Sequence, residues 1–449
     1  MASEGFLQTA FSQLIAEGAL EIGDGYRAKN EELGGDGLIF LRAGHVSDTH
    51  IDFGGVERFH AEHEPRVRSK LAKPGDTVVT TKGNSTGRTT FVAHWMPPFV
   101  YSPHLSYWRS LDPDRIEGGF LRYWCKSREF TTQLSGMKAS TDMAPYLSLM
   151  DQRRLEITLP PIDEQRAIAN ILGTLDDKIE LNRRMNETLE AMALALFNSW
   201  FVDFDPVRAK ANGRDPGLPK PLADLFPSAF EDSELGEIPR GWEVGSIGKV
   251  ADVIDCVHSR KPDRLTEGLP LLQLSNIRDD GLIDMEDTYF IDEQDYVRWI
   301  SRMEASPGDC LITNVGRVGA VAQMPAGLKA ALGRNMTGLR CRSSFPNPTF
   351  LIECLLSQAM RDEFVLKTDT GTILDALNVR SIPALRFVYS SSKIPSRFEE
   401  VARPLRGRME QNLRESRTLA TLRDTLLPKL ISGELRIADA GRVIERATA

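Results

Sequence analysis

The chain has 449 residues, enough at roughly 100 to 200 residues per domain for two to four domains, so a single small domain is excluded. Hydrophobic residues make up 41% and charged residues 26%, the usage of a folded globular protein, which excludes wholesale disorder, a collagen-like repeat and a coiled-coil fibre. The 55 basic against 63 acidic residues give a net charge of −8 and argue against a uniformly basic nucleic-acid binder.

Five cysteines, Cys125, Cys256, Cys310, Cys341 and Cys354, are odd in number, widely spaced and never paired as C-x-x-C. They encode neither a disulfide framework nor a zinc ribbon, and a reducing cytoplasm fits them best. No basic segment with an apolar core opens the chain, and no apolar run approaches the roughly 18 residues of a membrane span. The expectation is a soluble, unexported, cytoplasmic protein with no membrane partner.

Residues 1–158 read as a first module. It opens on a helix-like stretch, Phe6 to Gly18, and continues with short β-branched runs such as Thr77 to Thr81 and Thr89 to Ala93. Gly, Pro and Asp punctuate them, the pattern of a mixed α+β module with short, irregular strands. His60-Ala-Glu-His63 offers two imidazoles one helical turn apart, but the spacing fixes no third ligand, so a solvated surface is favoured and no metal is assigned. Lys82-Gly-Asn-Ser-Thr-Gly-Arg88 follows a predicted strand. Basic residues from Arg58 to Lys73 precede it, and Arg109 follows among Tyr101, Tyr107 and Trp108.

Residues 159–205 read as a long amphipathic helix entered at Leu159-Pro-Pro161, where proline suits a helix start. Residues 206–235, rich in Pro, Gly and acidic side chains, read as a linker and surface loop. Residues 236–393 form a second module with strands at Leu269 to Leu274, Cys310 to Thr313 and Val318 to Gln323. Asn314-Val-Gly-Arg317 holds the place of the first module's glycine loop; Arg260, Lys261 and Arg264 precede it, and Arg334, Arg340 and Arg342 follow. Residues 394–435 read as a second long helix and 436–449 as a tail.

The two halves repeat. Gly37 to Asp48 aligns without gaps on Gly268 to Asp279 at an offset of 231, Pro74-Gly-Asp76 on Pro307-Gly-Asp309 at 233, and Arg109 on Arg340 at 231. Collinear matches near one offset indicate a tandem duplication. In the helices, Ile168, Leu175, Asn182, Leu189 and Leu196 step by seven, and adding 230 lands on Phe398, Leu405, Asn412, Leu419 and Leu426. Ile171, Leu172, Ile179, Met185 and Met192, then Val401, Met409 and Leu422, widen each seam into a stripe. A buried Asn opposite another polar group fixes register, so the paired Asn rungs favour two helices packed on each other over two helices packed separately.

Signatures of catalysis are absent: no phosphate loop, no dinucleotide-binding glycine motif, no H-E-x-x-H and no nucleophile elbow. Phe204-Asp-Pro-Val207 is only superficially like the Asp-Pro-Pro-aromatic tetrad of amino-methyltransferases. No cofactor, metal or catalytic residue is expected. The glycine loops suit DNA, because Arg bonds guanine bidentately, Asn does so with adenine, and Gly lets backbone N–H groups approach phosphates. The candidate DNA contacts are Lys82, Asn84, Ser85, Thr86, Arg88 and Arg109 in the first module, and Arg260, Lys261, Asn314, Arg317, Arg334 and Arg340 in the second.

Five stretches together resemble the specificity subunits of type I restriction-modification systems: Leu159-Pro-Pro-Ile-Asp-Glu-Gln-Arg-Ala-Ile-Ala169, Leu175-Asp-Asp-Lys-Ile179, Leu196-Phe-Asn-Ser-Trp-Phe-Val-Asp-Phe204, Leu235-Gly-Glu-Ile-Pro-Arg-Gly-Trp242 and Leu427-Pro-Lys-Leu-Ile-Ser-Gly-Glu-Leu435. The resemblance covers nearly the whole chain, with two departures. The first module lacks the Gly-x-Ile-Pro-x-Gly-Trp opening, and Ser396-Arg-Phe-Glu-Glu400 replaces the Asp-Glu-Gln-Arg helix entry. It implies an α+β fold: a tandem duplication of an α/β target-recognition domain plus a long helix, the two helices packed as an antiparallel coiled-coil-like pair. It also implies a non-catalytic subunit that binds double-stranded DNA, reads one half-site of an asymmetric bipartite target with each module, and docks two methyltransferase subunits, which restriction subunits can join. A helix of about 40 residues spans roughly 60 Å against about 34 Å for one turn of B-DNA, a length suited to separating two half-sites. The reading from another class is a non-catalytic coiled-coil scaffold or protein adaptor without sequence readout.

Overall fold

The computed structural model describes residues 6–48, 50–139, 145–369, 375–391, 393–437 and 439–442. The chain divides into two units, Met1–Ile179 with Thr418–Ala449, and Glu180–Arg417.

The first unit holds β1 (Leu7–Ala10), β2 (Leu20–Asp24), β3 (Ile39–Leu41), β4 (Glu57–Arg58), β5 (Thr77–Thr80), β6 (Thr89–Phe91), β7 (Phe99–Tyr101), β8 (Leu105–Ser110) and β9 (Glu156–Leu159). They make a four-stranded antiparallel sheet, β2-β8-β5-β6, a three-stranded sheet, β4-β3-β7, with β3 and β7 parallel, and the pair β1-β9. All four residues of β5, Thr77-Val-Val-Thr80, are buried, which is why that run reads as continuous rather than alternating. Phe11, Phe120, Trp108, Trp124 and Phe130 form the core with Ile168, Leu172, Leu175, Leu419, Leu422 and Leu426. The buried Trp108 indole donates to Gln152 Oε1 at 2.7 Å.

The second unit contains β10 (Phe230–Ser233), β11 (Gly236–Pro239), β12 (Glu243–Ser246), β13 (Ala251–Asp255), β14 (Leu269–Leu272), β15 (Tyr289–Ile291), β16 (Cys310–Thr313), β17 (Val321–Gln323), β18 (Ala331–Leu332), β19 (Met336–Cys341), β20 (Thr368–Asp369), β21 (Ala376–Leu377) and β22 (Arg386–Tyr389). Here β13-β19-β16-β17 repeats the four-stranded sheet, β15-β14-β18 the three-stranded one with its parallel β14-β18 pair, and β12-β22 the pair β1-β9. The duplication legible in the sequence is therefore a duplication of topology across these three sheets, to which the second unit adds the short pairs β10-β11 and β20-β21. Phe197, Trp200 and Phe201 pack with Trp242, Phe350 and Phe398 in this unit's core.

The long helices are Ile162–Phe201 and Ile394–Ile431. In the second unit they run antiparallel: Asn182 reaches Glu415, and Asn186 reaches Met409 and Asn412. Asn182 and Asn412 are fully buried and meet through a long bond from Asn182 Nδ2 to the Asn412 carbonyl at 3.5 Å, while their shorter bonds go to other groups. Asn182 Nδ2 donates to Glu415 Oε2 at 2.8 Å, and Asn412 Nδ2 to Asn186 Oδ1 at 2.8 Å. Among the seam positions, Ile168, Leu175, Phe398, Leu419 and Leu426 are buried, whereas Leu189, Leu196 and Leu405 are half-buried. The flanking Met192 and Val401 are exposed. A strict seven-residue ladder drifts by about 20° per heptad on a straight helix, so Ala193, Phe197 and Trp200 take over the buried face.

Two local expectations are corrected. The opening is not one helix: Leu7–Ala10 is a strand because β9 pairs with it, and the helix is Phe11–Ala16. The stretch expected to be a linker is folded, with helices Asp205–Ala211 and Lys220–Ala223. Its buried Val207 and Phe226 join the core around Trp200 and Trp242.

Candidate nucleic-acid interface

Each glycine loop leaves the end of a central strand and is held by the same backbone pattern. Thr80 N–H donates to Arg88 O at 2.9 Å and Gly87 N–H to Thr80 O at 2.7 Å; Thr313 N–H donates to Ala320 O at 2.9 Å and Gly319 N–H to Thr313 O at 2.9 Å. The threonine hydroxyls close the loops from inside, Thr80 onto Ser85 O and Thr313 onto Arg317 O. Gly87 (φ 84°) and Gly319 (φ 76°) sit in the left-handed region, which glycine enters without strain. A Cβ there would strike Leu134 of helix Arg128–Ala139 in the first unit and Phe364 of helix Gln358–Lys367 in the second. The loops are built parts of the fold.

One guanidinium projects from each loop onto the turn that carries the Gly37–Asp48 and Gly268–Asp279 repeat. Arg88 Nη1 donates to Val46 O at 3.0 Å, and its Nε lies 3.6 Å from Asp48 Oδ2. Arg317 Nη1 donates to Ile277 O, and its Nη2 to Asp279 Oδ1. Both side chains are more than a third exposed, so each is anchored but reachable.

Other candidates belong to the frame. Arg109 was expected to contact DNA. Instead its Nε and Nη2 grip Asp76 at 2.6 and 2.7 Å, with its side chain 12% exposed and its guanidinium over Tyr107. Burial disfavours its charge, but the hydrogen bonds and field of Asp76 outweigh that and raise its pKa. Arg340 grips Asp309 with the same two nitrogens at 2.9 and 2.6 Å, but its side chain stays 43% exposed, so it is both clamped and reachable. The repeated Pro-Gly-Asp motif is thus a strand clamp. Asn314 is buried, donating to Leu377 O and accepting from Thr337 Oγ1. Thr86 is buried with its hydroxyl on Gly83 O and Pro145 O. Neither side chain can reach a base, since each is consumed by its own fold.

The structure leaves Lys82, Asn84, Arg260, Lys261 and Arg334 exposed and Ser85 half-buried. Lys261 Nζ stands 3.9 Å over the Tyr289 ring. Burial, then the repulsion of Arg264 and Arg334, lowers its pKa, which places three cations on one patch. Sequence reasoning missed Arg278 and Arg361, which join Arg317 around a cleft of about 750 Å³ that Leu355 and Phe364 also line. It also missed the acidic partners Asp48, Asp279, Asp76 and Asp309. Their signal was present, since all four lie inside the duplicated segments.

His60 and His63 stack edge to face with ring centroids 6.4 Å apart. Among the described residues the three-ligand cluster is Asp255, Cys256 and His258. Asp255 Oδ2 is already 3.1 Å from Arg302 and 2.9 Å from His258. The first module has the corresponding bond between Asp24 and Lys70, 2.7 Å, so Asp255 Oδ2 belongs to a repeated ion pair, while its buried Oδ1 has no hydrogen-bond partner among the described residues. All five cysteines are free, and among the described residues no helix is long and apolar enough to cross a membrane.

Residues 40–191 match the family model described as "Type I restriction modification DNA specificity domain". The chain is 26% identical to the type I restriction enzyme MjaIX specificity subunit of Methanocaldococcus jannaschii, covering 73% of this chain and 71% of that protein. It is 24% identical to the type I restriction enzyme HindI specificity subunit of Haemophilus influenzae, covering 89% and 94%. The fold is similar to that of the S subunit of a type I restriction-modification system from M. genitalium, with a TM-score of 0.57 and 14% identity over 96% of this chain and 97% of that one.

Proposed function

The chain belongs with the specificity subunits of type I restriction-modification systems, and on that premise we propose that it recognises a bipartite, asymmetric DNA target, one half-site per module, within a methyltransferase assembly. Residues 1–158 and 236–393 serve as the two target-recognition domains, and 159–205 and 394–435 as the helices that dock two methyltransferase subunits. The segment 206–235 joins the halves and 436–449 is a tail. Restriction subunits join the same assembly. The protein contributes binding energy and register in the cytoplasm, and methyl transfer is the partners' chemistry, since the target base must leave the stack to reach a catalytic pocket.

The observation that carries this reading is the pair of built glycine loops, each presenting an anchored guanidinium of the kind that bonds a guanine edge. Because the loops differ in sequence, the half-sites differ. The test is to co-express the chain with its modification subunits and sequence the methylated motif, then exchange residues 1–158 for the module of a relative. One half-site should change and the other persist. A change in both, or in neither, rejects the modular assignment.

A further inference from the structure

The two loop arginines do not occupy the same backbone position. The strand-end threonines set the register: Thr80 bonds Arg88 O and Ser85 O where Thr313 bonds Ala320 O and Arg317 O. By that register Arg88 stands where Ala320 stands, and Arg317 where Ser85 stands. The amides agree, since Arg88 N–H and Ala320 N–H each donate to the threonine Oγ1 at 3.0 Å.

Their guanidiniums nevertheless converge. Val46 and Ile277, the carbonyls they bond, are 231 residues apart, as are Asp48 and Asp279, the carboxylates they face. The attachment point has moved by three residues while the charged group and its acid have stayed. A backbone copied passively from one module to the other would have kept the attachment point as well.

Asp48 is 74% and Asp279 97% exposed. An ion pair this open contributes little to stability, so support of the fold does not account for it. It does act on what the arginine can bind. Anchoring on a carbonyl and a carboxylate removes rotamer freedom before DNA arrives, which is preorganisation. Nη1 and Nη2 of Arg317 each keep a second N–H for a bidentate partner. The fixed negative charge beside them repels a phosphate, but not the neutral O6 and N7 edge of guanine.

We propose that Asp48 and Asp279 are positioning residues that hold Arg88 and Arg317 for a base edge and turn them away from the phosphate backbone, one in each half-site. This rests on the DNA-recognition reading above. The acid acts as a selector, lowering affinity for DNA in general and raising the preference for the target.

The test uses the chain assembled with its modification subunits, bearing Asp48→Asn or Asp279→Asn, on duplexes carrying the methylated motif and on random duplex, from 50 to 200 mM salt. Binding to the motif should fall about tenfold, and random binding should hold or rise, with a salt dependence steeper by about one phosphate contact. Asp279→Asn should relax only the second module's half-site and Asp48→Asn only the first's. Asp279→Glu, which keeps the charge, should restore discrimination. A specificity ratio within twofold of wild type overturns the proposal, as does a parallel loss on both duplexes with a lowered melting temperature. If wild type itself shows no preference among duplexes, the recognition reading fails; if wild type discriminates and Asp279→Asn discriminates equally, only this inference fails.

Discussion

Asp176 offers the sharpest test of how the first module is fixed to its helices. It lies on helix Ile162–Phe201 with its side chain 8% exposed, and it accepts from three donors: Arg122, the Tyr123 hydroxyl at 2.8 Å, and Arg423 Nη1 of the second long helix at 2.7 Å. Burial pushes the carboxyl up, but Arg122 first, then Arg423 and Tyr123, bring it below its ordinary value. Asp176→Asn keeps the volume and leaves two partly buried guanidiniums facing a neutral amide. Removing one partner of a buried pair costs about 3–5 kcal/mol. For a unit of roughly 200 residues each kcal/mol shifts the melting temperature by about 2–4 °C, so the loss is roughly 6–20 °C by calorimetry. A folded-state pKa held low contributes stability that is present above the unfolded value near 3.9 and is lost as pH falls below it. The acid limb of the stability profile should therefore flatten in Asp176→Asn. Removing one of the two unpaired cations as well, in Asp176→Asn/Arg423→Met, should cost less than the sum of the single changes. A single-variant shift under about 2 °C would refute the view that this carboxylate clamps the module.

The remaining predictions concern the other buried ions. Arg109→Met leaves the fully buried Asp76 facing no cation and should destabilise the first unit by about 3–5 kcal/mol, whereas Arg340→Met should cost the second unit less, because Arg340 is 43% exposed and screened; equal losses in denaturant titrations would contradict this. Glu353, buried beside Arg406, is pushed up to about 7 by burial, with Arg406 lowering it and Glu190 raising it. A raised carboxyl favours the folded state at low pH and loses that contribution as pH climbs to about 7. Glu353→Gln should therefore level the decline in the second unit's melting temperature between about pH 4.5 and 7, and an unaltered slope would count against it.

Patterns that depend on backbone register were legible in the sequence, and patterns that depend on side-chain competition were not. Pro74-Gly-Asp76 and Pro307-Gly-Asp309 located the central strands because a fixed turn precedes a fixed strand. The helix ladders located the pair, but a period of seven overstated Leu189, Leu196 and Met192, where a period of 3.6 places Ala193, Phe197 and Trp200 inward. Charge was the poorest guide. Arg109, Arg340, Arg88 and Arg317 look alike in a sequence. The first pair grips Asp76 and Asp309 within a sheet, and the second reaches out of a loop toward the exposed Asp48 and Asp279. A sequence shows which charges exist, whereas the partner each one meets is decided by turns 31 to 40 residues away.

That distinction also resolves the acidic balance. A net charge of −8 would be a handicap for a protein that binds any DNA, because phosphate neutralisation supplies nearly all non-specific affinity. For a protein that must find one site among a genome of competitors, the governing quantity is the ratio of specific to non-specific binding. An acid that occupies an arginine inside a sheet, as Asp76 does with the 12% exposed Arg109, removes a cation from the non-specific count without touching the glycine loops. On the proposal made above, the acids beside Arg88 and Arg317, Asp48 and Asp279, lower the non-specific term again where those arginines meet DNA. An acidic chain with a few anchored guanidiniums is thus suited to discrimination, and added positive charge on the loop faces should raise affinity and lower selectivity together.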